Sequence, residues 1–217
     1  IQPSRTVAIA GATGFIGSAL CQILKRSFKV VALSRSASGK STEEISWRSC
    51  DLYSLDSCTK ALKDVDMAVY LVHSMMPSAR LTQARFEDLD IILADNFAKA
   101  AHINGVEHVV YVGGLDPETP DTSVHLNSRM EVEIVLEHWI QTVTALRAGL
   151  VIGRGGSSFN ILHKVVNRLP VILCPRWTYS KMQPIALSDL LSLIESTLME
   201  SNPQGGCHDI GGPDVMT

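Results

Sequence analysis

Three glycines near the start of the chain have a spacing that suits phosphate binding. Gly11, Gly14 and Gly17 follow the apolar run Val7–Ala10 and precede a helical pattern over Ser18–Arg26. The first glycine permits a sharp turn out of a strand, the second lets the backbone approach a pyrophosphate, and the third lets a helix lie close to the sheet. The helix N-terminus adds free N–H groups and a partial positive charge. We expect this turn to bind a dinucleotide through Gly11, Thr13, Gly14, Phe15, Ile16 and Gly17.

The spacing of these glycines is GxxGxxG, which differs from the commonest dinucleotide fingerprint, GxGxxG. The alternative is a glycine-rich turn that binds no ligand. Its position after the first strand and before a helix favours the dinucleotide interpretation.

The end of the second predicted strand, Val30–Leu33, indicates which dinucleotide is bound. NAD-specific folds place an Asp or Glu there to bind the ribose 2′-hydroxyl, whereas this chain has Arg35 between Ser34 and Ser36. A guanidinium can pair with a 2′-phosphate and stack on adenine. The pattern predicts NADP(H) in preference to NAD(H); the alternative is a loop arginine with no role in specificity.

Two further strand ends carry candidate cofactor contacts. Asp51 and Leu52 follow the third strand, where a carboxylate can accept a hydrogen bond from the adenine amino group, although this segment also suits the start of a helix near Ser54. Val72 and His73 end the fourth strand, at the edge of the sheet where ligands bind in such folds.

Short apolar runs alternate with longer helical patterns along the chain. Runs that are apolar throughout are typical of strands covered on both faces, and strand–helix alternation predicts a doubly wound parallel sheet. Helices are expected over Leu81–Asn104 and Asn127–Gln141, the second with Met130, Ile134 and Val135 on one face. The predicted strands are Val7–Ala10, Val30–Leu33, Ser46–Cys50, Met67–Val72, His108–Val112, Val143–Arg147 and Val171–Leu173. We interpret residues 1–152 as a nucleotide-binding core and 153–217 as a smaller substrate-side elaboration packed on it.

The composition excludes several classes of protein. The chain has 217 residues, a formal net charge of −3 and 46% hydrophobic residues. These values predict a globular domain, with no nucleic acid or membrane as partner. The five cysteines are scattered and form no CxxC pair, which favours reduced, buried thiols in the cytoplasm and no metal site.

The ends of the sequence have features of their own. The first residues contain neither a leader with basic and apolar parts nor an initiator Met. At the other end, Thr217 comes after a turn and resembles the N-cap residue of a further helix. We therefore expect the chain to be part of a longer protein. A long helix such as Leu81–Asn104 can also pair across a homodimer.

Taken together, these segments resemble the extended short-chain dehydrogenase/reductase superfamily. The resemblance rests on the glycine turn, Arg35, Cys50–Leu52 and Tyr111–Gly114, and the run Leu146–Gly153 narrows it further. The chain is most similar to the atypical, NmrA-like members, which are often described as nucleoside-diphosphate-sugar epimerases. The resemblance implies a Rossmann core, NADP binding and a substrate cleft under the C-terminal part.

The catalytic residues of that superfamily are replaced in this chain. Family members carry a Ser after the fifth strand and then a Tyr and a Lys at YxxxK spacing, whereas this chain has Gly113–Gly114, His125 and Arg129. Residues four apart share a helix face, so His125 can act as an acid or base and Arg129 can hold the cofactor. Ser74 is a candidate for the missing hydroxyl.

The replacement leaves two functions open. The first is an NADP(H)-dependent oxidoreductase or epimerase acting on an unknown small carbonyl or sugar-like substrate. The second is a non-catalytic NADP(H)-binding redox sensor, or an assembly or regulatory protein. Candidate substrate contacts are His73, Met75, Arg176 and Trp177.

Overall fold

A computed structural model describes residues 5–36, 41–73, 86–115, 124–156, 166–168 and 181–216, with only the backbone at 86–88 and 124–127. The strands are β1 Thr6–Ala10, β2 Lys29–Ser34, β3 Ile45–Ser49, β4 Met67–Tyr70, β5 His108–Gly114, β6 Thr142–Ala148, β7 Val151–Ile152, β8 Ile185–Ala186 and β9 Gly206–Ile210. The named helices are α1 Phe15–Leu24, α2 Leu55–Ala61, α3 Phe86–Ile103, α4 Val124–Trp139 and α5 Leu187–Met199.

Seven strands form one parallel sheet in the order β3-β2-β1-β4-β5-β6-β9. The strand order reverses between β1 and β4, because the chain first builds outward through β2 and β3 and then crosses to the other side. This is the doubly wound Rossmann arrangement, and it confirms the predicted fold class. Every described residue of β4 and β5 is buried, as their continuous apolar runs indicated.

Helices cover the sheet on both faces. On one face α2, α3 and α4 pack together over a core that includes Phe97 and Leu136, each fully buried. On the other face α1 packs against α5 over Leu20 and Ile194, which are fully buried as well. The two cores hold the sheet rigid and fix the positions of the loops at its carboxyl edge.

The segment after residue 152 contributes to the main sheet as well as to its surroundings. β9 pairs in parallel with β6 from Thr144↔Gly206 to Ala148↔Ile210, and α5 packs on α1. A separate two-stranded sheet joins β7 to β8. A boundary at residue 152 therefore does not separate the sheet from the segment that follows it.

Two sequence expectations are corrected by the structure. The buried face of α4 includes Val132 and Leu136, whereas Ile134, which we expected on that face, is 63% exposed. Cys21, Cys50 and Cys58 are free and buried, but Cys207 is exposed, and Cys174 and the expected strand Val171–Leu173 lie outside the described residues. Among the residues described, no helix is both long and apolar enough to span a bilayer.

Candidate cofactor site

The glycine turn between β1 and α1 has almost no room for side chains. Gly11 has a φ of +88°, a conformation that favours glycine, and a Cβ there would lie 3.3 Å from the backbone of Leu71. A Cβ on Gly17 would overlap the carbonyl oxygen of Gly11 and lie 2.8 Å from Cα of Ala12. The Gly14 N–H donates to the Gly11 carbonyl over 2.9 Å, which closes the turn.

The N-terminus of α1 is open to a ligand from this turn. Gly14 is the N-cap residue in an extended conformation, it offers no side chain to cap the helix, and the first turn contains no acidic residue. The first N–H groups of the helix therefore keep their capacity to bind an anion, and the helix dipole favours a negative charge here.

A cavity of about 420 Å³ runs along the carboxyl edge of the sheet across the point where the strand order reverses. Its sides come from β1 and its turn, from the ends of β2, β3 and β4, and from α3. The lining residues are Ala10, Gly11, Thr13, Gly14, Leu33, Ser34, Arg35, Cys50, Asp51, Leu52, Tyr53, Leu71, Val72, His73, Leu89 and Leu93. This is the position at which open α/β sheets bind their ligands.

Arg35 occupies the cavity wall at the end of β2. The Ser49 hydroxyl donates to the Arg35 carbonyl over 3.1 Å, and the Ser34 hydroxyl donates to the carbonyl of Ser36, so the backbone of this loop is held in place. The Arg35 side chain is exposed, and no carboxylate pairs with it in the part of the chain that the structure describes. Its charge is available to an anionic ligand in the cavity.

The loop after β3 both begins a helix and lines the cavity. Ser54 is the N-cap residue of α2, and its hydroxyl accepts from the Ser57 N–H. Asp51 lines the cavity, and its Oδ1 accepts from the Tyr53 N–H over 3.1 Å. Tyr53 also lines the cavity and is 55% exposed, which suits stacking on a planar base.

His73 lies at the far end of the cavity with a fixed tautomer. Its Nε2 is 3.1 Å from the Val112 carbonyl oxygen. Because a carbonyl only accepts, Nε2 must carry the proton, which leaves Nδ1 as a buried acceptor with no hydrogen-bond partner among the described residues. Burial, and after it the charge of Arg129, lowers the pKa of His73 to about 4, so the ring is neutral at neutral pH.

The tyrosine of β5 is not activated by a neighbouring lysine among the described residues. The Tyr111 hydroxyl donates to the Arg129 carbonyl over 3.1 Å, and burial raises the pKa of this tyrosine well above its usual value. Gly113 and Gly114 are buried and supply no hydroxyl. His125 and Arg129 both lie on α4, and the charge of Arg129 reaches His73.

The structure brings together many of the predicted cofactor contacts. Those that line the cavity are Gly11, Thr13, Gly14, Ser34, Arg35, Asp51, Leu52, Val72 and His73. Phe15, Ile16, Gly17, Ser36, Gly113 and Arg129 do not line it, although Phe15 to Gly17 form the first turn of α1. The side chain of His125, together with Ser74, Met75, Arg176 and Trp177, lies outside the described residues.

Several lining residues were missed at the sequence level. Tyr53 and Cys50 are adjacent to predicted contacts, and an aromatic residue directly after a strand end was the available signal. Leu89 and Leu93 come from α3, which packs over the cavity from a distant part of the chain, so no local pattern indicated them. The guanidinium of Arg147, near the end of β6, pairs with Glu133 on α4.

The cavity fits a pyridine dinucleotide. The glycine turn excludes side chains where a pyrophosphate must approach, the open helix end supplies donors, and Arg35 and Tyr53 lie on the side of β2 and β3. His73 lies on the side of β4, where the nicotinamide half of such a ligand is expected. The cavity lining therefore extends to both sides of the glycine turn.

Solved structures with the same fold include sugar-nucleotide enzymes. UDP-N-acetylglucosamine 4-epimerase from Bacillus cereus superposes with a TM-score of 0.75 at 20% identity, over 98% of this chain and 80% of that one. The Bordetella bronchiseptica enzyme WbmG, in complex with NAD, gives a TM-score of 0.80 at 17% identity over 100% and 75% of the two chains. At these identities the likeness shows the fold alone.

The chain is also similar to a protein described as auxiliary and to a family of NAD(P)H-binding domains. It is 36% identical over 110 residues to auxiliary protein GraX from Staphylococcus aureus (strain NCTC 8325 / PS 47), a match over 50% of this chain. That match spans only 36% of the length of the relative. The family model described as NAD(P)H-binding matches residues 11–146, which include the glycine turn, Arg35, His73 and Arg129. The chain belongs to this NAD(P)H-binding family.

Proposed function

We propose that this protein is an NADP(H)-dependent oxidoreductase or epimerase that acts on a small carbonyl or sugar-like substrate. The observation that carries the proposal is the single cavity that joins the glycine turn, Arg35 and His73. Along that cavity the glycine turn suits the pyrophosphate, Arg35 suits a ribose phosphate, and His73 suits the nicotinamide ring.

The preference for NADP(H) rests on the charge at the end of β2. Ser34, Arg35 and Ser36 carry hydroxyls and a guanidinium where an NAD-specific protein carries a carboxylate. We expect NADPH to bind at least tenfold more tightly than NADH, a difference of about 1.4 kcal/mol. Titration of both nucleotides, followed by the fluorescence of the reduced nicotinamide, measures this directly.

A pair of matched variants tests whether an arginine at this site, and not an exposed arginine elsewhere, sets the preference for NADPH. Arg35→Ala removes the guanidinium and should weaken NADPH binding while leaving NADH binding nearly unchanged. Arg26→Ala removes an exposed arginine near the end of α1, which does not line the cavity, and should change neither affinity. Equal affinity of the wild-type protein for the two nucleotides would contradict the preference.

The chemistry of the proposed reaction is divided between the cofactor and α4. When bound, the nicotinamide supplies hydride transfer. Arg129 cannot release a proton, so its role is to hold the cofactor or to stabilise developing negative charge. His125 stands at the position of the family tyrosine and is the candidate acid or base, and Ser74 is the candidate for the missing hydroxyl.

His73 has a different task in this proposal. Its neutral ring and its hydrogen bond to Val112 prevent it from donating a proton through Nε2 without breaking the contact that orients it. We therefore assign His73 to positioning the ligand, and proton transfer to His125.

Absorbance of the reduced nicotinamide tests turnover. Purified protein is mixed with NADPH and a panel of aldehydes, ketones and nucleotide sugars. The rate at which the NADPH absorbance falls is compared with the rate for His125→Ala. Activity that His125→Ala abolishes, while NADPH affinity is kept, supports the enzyme. His138→Ala, which changes an exposed histidine at the opposite end of α4, is the matched control.

A second candidate function is an NADP(H)-binding regulatory or assembly protein without turnover. Two observations favour it: the superfamily Ser, Tyr and Lys are replaced, and the chain is similar to a protein described as auxiliary. Tight NADPH binding with no oxidation on any member of the substrate panel would favour this function over the enzyme.

A further inference from the structure

Two thiols beside the cofactor cavity are close enough to react with each other. The Sγ atoms of Cys50 and Cys58 lie 3.9 Å apart. Cys50 follows β3 and lines the cavity, whereas Cys58 lies on α2 and is fully buried. We propose that this pair is an oxidative modification site, at which a small peroxide that enters the nucleotide cavity converts the two thiols to a disulfide.

The reaction consumes one peroxide and needs no other reagent. Sulfur of Cys50 attacks a peroxide oxygen, the O–O bond breaks, and the products are a sulfenic acid on Cys50 and one water. Sulfur of Cys58 then attacks the sulfur of Cys50, the S–O bond breaks, and the thiol proton leaves with the hydroxyl as a second water. Hydrogen peroxide is reduced to two waters while two thiols are oxidised to one disulfide.

The local contacts assign different roles to the two sulfurs. The hydrogen bond between the two thiols lowers the pKa of Cys50, and this effect exceeds the opposing effects of burial and of the Asp51 carboxylate. The same pairing raises the pKa of Cys58, whose Sγ also lies 3.5 Å from the Asp51 carbonyl oxygen. Because Cys50 lines the cavity and Cys58 does not, a peroxide in the cavity meets Cys50 first, which makes Cys50 the attacking sulfur and Cys58 the resolving thiol.

The other described cysteines do not share this environment. Burial raises the pKa of Cys21 to about 11. Burial and a hydrogen bond to Glu133 raise the pKa of Cys207 to about 11. Among the described residues, neither Cys21 nor Cys207 forms a hydrogen bond with another thiol. Oxidation to a disulfide should therefore be selective for the pair at the cavity.

A disulfide would alter the wall of the cavity. An S–S bond is about 2.05 Å long, so the sulfurs must approach each other by roughly 1.9 Å. The loop between them supplies three lining residues, Asp51, Leu52 and Tyr53. Two hydrogen bonds hold the first residues of this loop: the Asp51 N–H donates to the Ser57 hydroxyl over 3.0 Å, and the Asn96 amide donates to the Leu52 carbonyl over 3.0 Å.

Oxidation and nucleotide binding should therefore oppose each other. A nucleotide in the cavity covers Cys50, and a disulfide moves the loop away from the conformation that lines the cavity. If oxidation weakens nucleotide binding, then the nucleotide must disfavour oxidation by the same factor. This coupling rests on the proposed occupancy of the cavity by NADP(H), whereas the disulfide itself does not.

The first experiment uses reduced wild-type protein without nucleotide. The protein is treated with hydrogen peroxide, alkylated, digested and analysed by mass spectrometry. We expect a cross-linked peptide pair containing Cys50 and Cys58, lighter by two hydrogens than the reduced peptides. Cys21→Ser, which removes a different buried thiol, should leave the cross-link unchanged, and Cys58→Ser should stall at a sulfenic acid on Cys50 that dimedone traps.

The second experiment repeats the oxidation with saturating NADP⁺, which is already oxidised and cannot act as a reductant. We expect the rate of disulfide formation to fall about fivefold or more, because the bound nucleotide covers Cys50 and leaves only the unbound fraction of the protein to react. Absence of the Cys50–Cys58 cross-link overturns the site. An unchanged rate, with NADP⁺ shown to be bound by a separate titration, overturns the coupling. If that titration shows no binding, the proposed function fails while the cross-link still tests the dithiol.

Discussion

Gly14 and Gly17 stand three residues apart but have different physical tasks. Gly14 has φ of −75°, which any residue can adopt, and a Cβ there would lie 3.2 Å from one atom, the Gly11 carbonyl oxygen. We expect Gly14→Ala to fold and to bind NADPH about tenfold more weakly, a loss of about 1.4 kcal/mol, because the methyl group enters the space of the pyrophosphate. Nucleotide titration measures the loss, and unchanged affinity would argue against the cavity as the binding site.

Gly17→Ala should instead affect folding. Its Cβ would overlap the Gly11 carbonyl, and both neighbouring contacts are backbone atoms that cannot rotate away. We expect a loss of roughly 2–4 kcal/mol in the free energy of unfolding, the range for overpacking a rigid site. Urea denaturation measures it, with Gly14→Ala as the matched variant in the same turn.

Two buried histidines should make the stability fall in mild acid. Burial is the main cause that lowers the pKa of both His73 and His108 to about 4, and each has a buried Nδ1 without a partner. The unfolded chain therefore binds more protons than the folded one between pH 6.5 and 4. Their contribution to stability is complete above pH 6.5 and is lost as the pH falls towards 4.

His108→Gln tests this behaviour at one site. His108 is 2% exposed and its Nε2 lies 2.9 Å from the Thr144 hydroxyl, a contact that a glutamine amide can replace. We expect roughly 1–3 kcal/mol of the acid-dependent loss to disappear in the variant. Urea denaturation from pH 4 to 8 gives the free energy of unfolding of the wild type and of the variant at each pH. Subtracting one from the other removes the effect of the carboxylates, which the two proteins share. Identical pH profiles would contradict it.

At the scale of the elements, one ion pair joins α4 to the edge of the sheet. Glu133 on α4 receives two hydrogen bonds from Arg147 on β6, at 2.9 and 3.1 Å, and one from the Cys207 thiol on β9. Glu133 is 5% exposed, so Glu133→Ala leaves the Arg147 charge half-buried without its partner.

We expect Glu133→Ala to lower the free energy of unfolding by about 3 kcal/mol. The matched control is Asp56→Ala, which breaks the exposed pair with Lys60 on α2 and should cost less than about 1 kcal/mol. Thermal or urea unfolding measures both. Similar losses in the two variants would mean that the Glu133 pair does not anchor α4 to β6 and β9.

The sequence predicted the elements that are buried on both faces better than those at the edges. The strand expected over Val7–Ala10 is Thr6–Ala10 in the structure, because a run without polar residues leaves few alternatives. β9 was not predicted, since its residues are mostly exposed and its pairing with β6 is long-range. The phase of α4 was wrong because burial is set by its contacts with α3 and the sheet, which its own residues do not encode.

Part of the candidate site could likewise be predicted from the sequence, and part could not. Its backbone half, the glycine turn, could be predicted because its spacing constrains the local geometry. The half formed by Leu89 and Leu93 could not, because it depends on how α3 packs over the strand ends. The tautomer of His73 depends on its contact with Val112, 39 residues away in the chain.

At the scale of the whole molecule, the cavity couples nucleotide binding to stability. Its lining comes from both sides of the sheet, so the ligand binds only the folded chain. With NADPH at about 100 times its Kd, the free energy of unfolding should rise by about 2.7 kcal/mol, which raises Tm by about 5–10 °C. Differential scanning calorimetry measures the shift, and Arg35→Ala should reduce it at the same NADPH concentration.

The position of β1 inside the sheet, between β2 and β4, has a consequence for biosynthesis. β1 is made first, yet its partner β4 begins at Met67 and the following pair, β4 and β5, is completed only at Gly114. A nascent chain that ends before β4 has one side of β1 unpaired, with the apolar edge Val7–Ala10 open to other chains. Until translation passes that point, protection from aggregation must come from the ribosome or from chaperones.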